Sequence, residues 1–197
     1  MKNRSSDTQR QSAGHLFIIS APSGAGKSTL CRALLAHFTD LKYSVSHTTR
    51  APRKGEQEGV DYHFISHEKF KQMIDQGAWI EWAKVHGEYY GTSAVFIDGH
   101  LRVGRDVLLD IDVQGAAQIV ALYPDCIPIF VMPPSISELK LRLEKRGTDN
   151  QETIEKRMAE AENEIRQKDR YRYVVINDRL ENAIGELIAI VGKFGQD

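Results

Sequence analysis

Nine consecutive residues, Ala21-Pro22-Ser23-Gly24-Ala25-Gly26-Lys27-Ser28-Thr29, carry the groups needed to hold a chain of phosphates. They follow a short apolar run at 16–20 and open a segment with helical spacing, the setting a phosphate-binding loop (P-loop) requires. Gly24 and Gly26 allow backbone N–H groups to turn inward around phosphate oxygens. The helix start adds the positive end of its dipole. Lys27 supplies a point charge for the β- and γ-phosphates, and the Ser28 hydroxyl is a ligand for Mg²⁺. Ala21 stands where the pattern G-x-x-x-x-G-K-[ST] has its first glycine, the position least involved in wrapping phosphate. A second string, Leu108-Leu109-Asp110, is an apolar run ending in a carboxylate. Such a group beside a phosphate loop organises Mg²⁺ and its waters. Asp112 lies two residues on and is expected on the same strand face.

A phosphate loop indicates a nucleoside triphosphate but not the acceptor. Ser46-His47-Thr48-Thr49-Arg50-Ala51-Pro52-Arg53 places two arginines three apart, with Pro52 restricting the backbone between them. Two guanidinium forks held in this way suit a phosphate monoester dianion. Tyr62 and Tyr90 are further hydroxyl donors for that phosphate.

These residues need a frame to position them. Apolar runs at 16–20, 107–111, 127–132 and 173–176 read as strands buried on both faces, the signature of a parallel sheet covered by helices. Helical spacing falls at 27–38, 113–122, 136–146, 151–168 and 180–194. Ser135 and Glu138 match a capping box, Gly147 a stop, and Asn150 an N-cap. Residues 42–92 break this rhythm. Alternating stretches there predict half-exposed, antiparallel strands with a short helix at 67–75, a small inserted unit. Residues 94–105, rich in small and polar positions, read as part of its return hinge. Trp79 and Trp82 read as packing residues of the insert.

Composition narrows the class. With 41% hydrophobic and 27% charged residues in 197, the chain is of ordinary globular type. The net charge of −1 gives no general attraction to nucleic acid or an anionic membrane, and neither is an expected partner. No apolar run reaches membrane-spanning length. Residues 1–14 are polar, without a secretory apolar stretch, and read as a disordered tail. Two cysteines, Cys31 and Cys126, exclude a disulfide scaffold and point to the cytoplasm. His63 and His67 lack the further ligands of a metal site and read as structural. A homo-oligomer is left open.

In order and spacing the chain resembles the guanylate kinase family, over roughly residues 15–193. The matching strings are residues 21–28, Ser46–Arg53, Asp61-Tyr62, Ile80-Glu81-Trp82, Tyr89-Tyr90-Gly91-Thr92, Leu109-Asp110-Ile111-Asp112 with Gln114-Gly115, and Ile176-Asn177-Asp178. The resemblance implies an α/β fold. Its P-loop NTPase-type parallel core is flanked by helices and carries a small mixed α/β GMP-binding insert and a helical lid. Core segments would run over 15–42, 94–134 and 158–197, the GMP-binding unit over 43–93 and the lid over 135–157. It implies Mg²⁺-dependent transfer of the ATP γ-phosphoryl group to GMP or dGMP. Residues 21–29, with Asn177 on the adenine side, would bind ATP. Arg50, Arg53, Tyr62 and Tyr90 would hold the GMP phosphate, and Glu81, Ser46 and Thr92 the base. Asp110 and Asp112 would line the same pocket, and Ser28 and Asp110 would serve the metal. Whether Asp110 serves nucleotide, metal water or both stays open. Lys27, Arg50 and the lid arginines Arg142, Arg146 and Arg157 would neutralise charge during transfer. Two other readings remain: a kinase of another small molecule, such as a phosphorylated sugar, and a phosphopeptide-binding module that does not catalyse.

Overall fold

The computed structural model describes residues 14–85, 87–146 and 150–194, except for the side chain of Arg146. Of the tail expected over 1–14, only Gly14 is among them. Its N–H donates to the Leu101 carbonyl (3.0 Å). Gly147 and residues 1–13 lie outside the described residues.

Nine strands are described: β1 Leu16–Ser20, β2 Lys42–Ser44, β3 His47–Thr48, β4 His63–Phe64, β5 Trp79–Val85, β6 Glu88–Ser93, β7 Val107–Asp110, β8 Ile127–Met132 and β9 Tyr173–Ile176. The helices are α1 Lys27–His37, α2 His67–Asp75, α3 Ala94–Leu101, α4 Val113–Leu122, α5 Ile136–Arg146, α6 Gln151–Ile165 and α7 Leu180–Gly192. A 3-10 turn, Lys168–Arg170, follows α6.

β1 is the centre of a five-stranded parallel sheet, order β2-β7-β1-β8-β9. All five of its residues are buried, as a strand covered on both faces requires. Alternation sorts them. Phe17 and Ile19 join a cluster with Leu34 of α1 and Leu187 of α7. Leu16 and Ile18 join one with Ile97 of α3 and Ile119 of α4 on the other face. The loops after β1 and β7 therefore emerge together at the carboxyl end of the sheet, where open α/β sheets bind ligands.

The second sheet has the order β4-β3-β6-β5. Its β3–β6 and β5–β6 pairs are antiparallel as expected, but β3–β4 is parallel. Phe70 of α2 is fully buried and stacks on Trp79 at 4.6 Å and Tyr89 at 5.2 Å.

Several expectations are corrected. Lys42–Ser44 pairs with β7, so the second sheet begins at His47 rather than at residue 43. Residues 94–101 of the expected hinge form α3, capped by the Ser93 hydroxyl. Asp112 is not a strand residue. β7 stops at Asp110, and Asp112 is the N-cap of α4, accepting from Gly115 N–H (2.8 Å). Only half of the capping box forms on α5. Ser135 Oγ accepts from Glu138 N–H, while the Glu138 carboxylate turns to Arg142 Nε (2.9 Å). α6 runs unbroken through residue 157 to Ile165, capped by Asn150. Trp82 is 38% exposed, on the outward face of β5, so only Trp79 packs inside the sheet unit.

Candidate active site

The phosphate loop is a turn between β1 and α1. Ala25 N–H donates to Pro22 O (3.0 Å), and Thr29 and Leu30 N–H donate to Gly26 O (3.2 Å each). Gly24 and Gly26 have φ of +96° and +94°, where side chains are strained. At Gly26 space also forbids one, because a Cβ would collide with Asn177 Nδ2. That amide donates to Ala25 O at 2.7 Å, and the Asn177 N–H donates to Met132 O at 2.8 Å. Asn177 thus ties the loop to the end of β8 from behind.

Lys27 reaches back along the cavity wall. Its Nζ lies 2.5 Å from Asp110 Oδ1 and donates to Ile111 O (3.1 Å). Burial alone would lower the ammonium's pKa, but the Asp110 carboxylate more than offsets this and raises it. Lys27 is therefore held charged beside the acidic end of β7.

The second sheet contributes Glu81. It is only 5% exposed, and its Oε1 accepts from the Thr92 hydroxyl on β6, itself fully buried. Burial pushes the Glu81 carboxyl up to about 7, the Thr92 hydrogen bond opposes this, and the Asp112 charge adds to it. A buried carboxylate with one hydrogen-bond partner among the described residues has unused acceptor capacity, which favours a ligand with adjacent donors.

Arg50 is fixed by three acceptors: Tyr90 Oη for Nε (3.3 Å), Ala51 O (2.8 Å) and Glu56 Oε1 (2.9 Å) for the two terminal nitrogens. Its guanidinium lies over the Tyr62 ring at 5.4 Å. Arg50, Tyr62 and Tyr90 are thus assembled. Arg53 is exposed, and its backbone N–H donates to Glu56 Oε2 (2.7 Å). Glu56, which orders both arginines, was not anticipated. Its three-residue spacing from Arg53 is the available signal.

One cavity of about 700 Å³ joins the parts. The phosphate loop, Asp110 and Asp112 form one wall, Ser46, Tyr62, Glu81 and Tyr90 another, and α6 a third. From α6 come Arg157, as expected, and Glu160, Asn163 and Glu164, which were not, and Gln167 joins them from just beyond the helix end. Positions 157, 160, 164 and 167 recur at helical spacing, a polar stripe legible in the sequence once a facing loop is known. Burial pushes Glu164 up to about 7, tempered by Lys27 and by the Ser23 N–H, with Asp112 and Glu160 adding to the rise.

Other expected residues stand outside the cavity wall. Thr92 lies behind Glu81, and Asn177 behind the loop. Arg142 is held by Glu138 and by the Asn177 carbonyl (3.0 Å). Arg146 is helical at the end of α5, its side chain outside the described residues. His63 and His67 pair with Glu58 (3.0 Å) and Glu88 (3.2 Å), as structural histidines do.

A phosphate loop at the carboxyl end of the central strand, joined through one cavity to a sheet carrying arginine and a buried carboxylate, defines an α/β phosphate-loop kinase. Comparison with known proteins makes this specific: the chain belongs to the guanylate kinase family, whose model, described as guanylate kinase, matches residues 13–193. The chain is 49% identical over 183 residues to the guanylate kinase of Dechloromonas aromatica, covering 93% of this chain and 91% of that one. It is 51% identical over 178 residues to that of Neisseria gonorrhoeae, covering 90% and 87%. The crystal structure of guanylate kinase from Anaplasma phagocytophilum superposes with a TM-score of 0.79 at 32% identity, covering 94% of this chain and 88% of that one. The expected α/β fold and the expected enzyme class, a nucleoside monophosphate kinase, both stand.

Proposed function

We propose that this chain transfers the γ-phosphoryl group of ATP to GMP or dGMP, giving ADP and GDP or dGDP. One observation carries the reading: a phosphate loop and the buried, acceptor-rich Glu81 share a cavity. Guanine offers N1–H and the exocyclic amine side by side, and adenine does not. With the wrong base, the buried carboxylate is left unpaired, which rejects it by orders of magnitude. Ser46 completes the base contacts, and Thr92 acts from behind through its hydrogen bond to Glu81. Arg50, Arg53, Tyr62 and Tyr90 hold the GMP phosphate.

On the other side, residues 21–29 hold the ATP phosphates, and Asn177 acts there through the Ala25 carbonyl. Phosphoryl transfer needs positioning and charge neutralisation more than a general base. Lys27, Arg50, Arg142, Arg146 and Arg157 supply that charge. The acceptor unit closes on GMP and the lid on ATP, excluding water from the γ-phosphate. Ser28 and Asp110 fit Mg²⁺ as hard oxygen donors at the loop, and Asp110 and Asp112 border both nucleotides. No group of three or more His, Cys, Asp or Glu placed for a metal occurs among the described residues. When bound, Mg²⁺ would neutralise phosphate charge. No helix among the described residues is long and apolar enough to cross a membrane. We infer a reducing cytoplasm as the setting, a reading supported by the free thiols of Cys31 and Cys126.

The test is ADP release with ATP and Mg²⁺, offered GMP, AMP, CMP, UMP and a phosphorylated pentose in parallel. Turnover with GMP alone, abolished in Lys27→Ala, is expected. Turnover with the pentose alone would overturn the base assignment, and tight GMP binding without turnover would indicate a binding module.

A further inference from the structure

Glu81 is not positioned by its own sheet alone. β5 is the outer strand of the second sheet, so among the described residues one of its edges has no strand partner. Its pairing with β6 also shifts register between Trp79 and Glu81, so Glu81 is the first residue of the regular ladder on that side. The open edge is closed by a side chain of the core. Gln118 on α4 accepts from the Trp82 N–H through Oε1 (3.3 Å) and donates to the Trp82 carbonyl through Nε2 (2.9 Å). Nε2 also donates to Gln114 O (3.4 Å), which orients the carboxamide. One carboxamide thus imitates a neighbouring strand. One turn earlier on the same helix, Gly115 leaves room for the Glu81 carboxylate against the α4 backbone. A Cβ there would collide with Glu81 Oε2 and lie 3.0 Å from Glu81 Cδ. Successive residues of β5 are therefore both seated on α4: Glu81 against Gly115, Trp82 on Gln118.

We propose that Gln118 is a positioning residue for the acceptor base: by clamping the Trp82 backbone to α4 it fixes the Glu81 carboxylate relative to the phosphate loop, and so sets GMP affinity. This rests on Glu81 being the guanine acceptor. Gln118 lies outside the cavity wall and is exposed on α4, so its replacement leaves the core packing intact.

The experiment uses the full chain, with GMP, IMP and ATP affinities measured by calorimetry for Gln118→Met, Glu81→Gln and the double variant, and backbone amide exchange followed at Trp82. Methionine keeps the length of glutamine without its hydrogen bonds. Gln118→Met is expected to weaken GMP about five- to tenfold, the size expected of two amide hydrogen bonds near the surface. ATP affinity should stay within twofold, and Trp82 N–H exchange should quicken. In the Glu81→Gln background the same substitution should change GMP affinity by less than twofold, because the effect passes through the carboxylate. An unchanged GMP affinity or unchanged Trp82 exchange in Gln118→Met overturns the proposal. So does equal weakening of ATP and GMP, or a loss that persists in the Glu81→Gln background. The underlying base assignment fails separately: Glu81→Gln would then leave the preference for GMP over IMP intact.

Discussion

Replacing Glu81 by Gln should stabilise the empty protein at alkaline pH while weakening its acceptor binding. Glutamine keeps the volume and an acceptor for the Thr92 hydroxyl but removes the buried ionisation. Burial holds the Glu81 carboxyl near 7 instead of its ordinary 4.5. Between those values the folded chain keeps a proton that the unfolded chain has released. The unfolding free energy of the wild type therefore falls as pH rises through this window and levels off above it. The shift corresponds to up to about 3 kcal/mol. Glu81→Gln lacks this loss, so its stability relative to the wild type should rise from pH 5 to pH 8 by up to that amount, roughly 6–12 °C in Tm for a chain of this size. Glu164 titrates in the same window but is present in both proteins and cancels in the difference. Binding runs the other way. At pH 8 the loss of a charged acceptor facing two donors should weaken GMP by roughly 100-fold. Below pH 7 protonation of Glu81 competes with GMP, so the wild-type advantage should shrink about tenfold per pH unit. The GMP phosphate takes up its own second proton near pH 6, and the ratio of the two proteins' affinities removes that contribution. Thermal unfolding at pH 5 and 8, with GMP titrations at pH 6, 7 and 8, reads both effects. A Tm difference that is the same at both pH values, or an affinity ratio flat with pH, would mean that Glu81 does not titrate in this window.

Phe70→Ala should remove the ring stacked between Trp79 and Tyr89. It is expected to cost about 3–5 kcal/mol in urea unfolding and to raise the GMP KM much more than the ATP KM. Asn177→Ala should leave the Ala25 carbonyl without its partner, at about 1–3 kcal/mol. Steady-state kinetics should show a raised ATP KM with the GMP KM nearly unchanged, and an equal rise in both would contradict the separation of the two sides.

Much of the fold was written locally. β1 and β8 fall where apolar runs lie, because strands covered on both faces need continuous hydrophobicity; β9 also falls on its run, but as the edge strand it leaves Val174 and Ile176 exposed and is not buried on both faces as expected. α4, α5 and α6 start beside capping residues that act within one turn. The phosphate loop was legible for the same reason: nine contiguous residues carry its turn, charge and hydroxyl. The short strands β2, β3 and β4, of two or three residues, carry no period of their own, so the boundary of the second sheet was misplaced and the parallel β3–β4 pair missed. Asp112 was misread because a two-residue spacing describes a strand only while the strand continues, and β7 ends at Asp110.

Local pattern sufficed for the α/β class, the phosphate loop, the presence of Glu81, Arg50 and the tyrosines, and through the resemblance the family. Which of these share a cavity was left to long-range packing. It brought the α6 stripe over the loop, set Asn177 behind Gly26, held Lys27 on Asp110, and seated β5 on α4 through Gly115 and Gln118. The physical reason is range. Caps, turns and strand periods act over a few residues and leave a mark in the neighbouring sequence, whereas these contacts join residues tens of positions apart. Packing selects such contacts, and no local pattern records them.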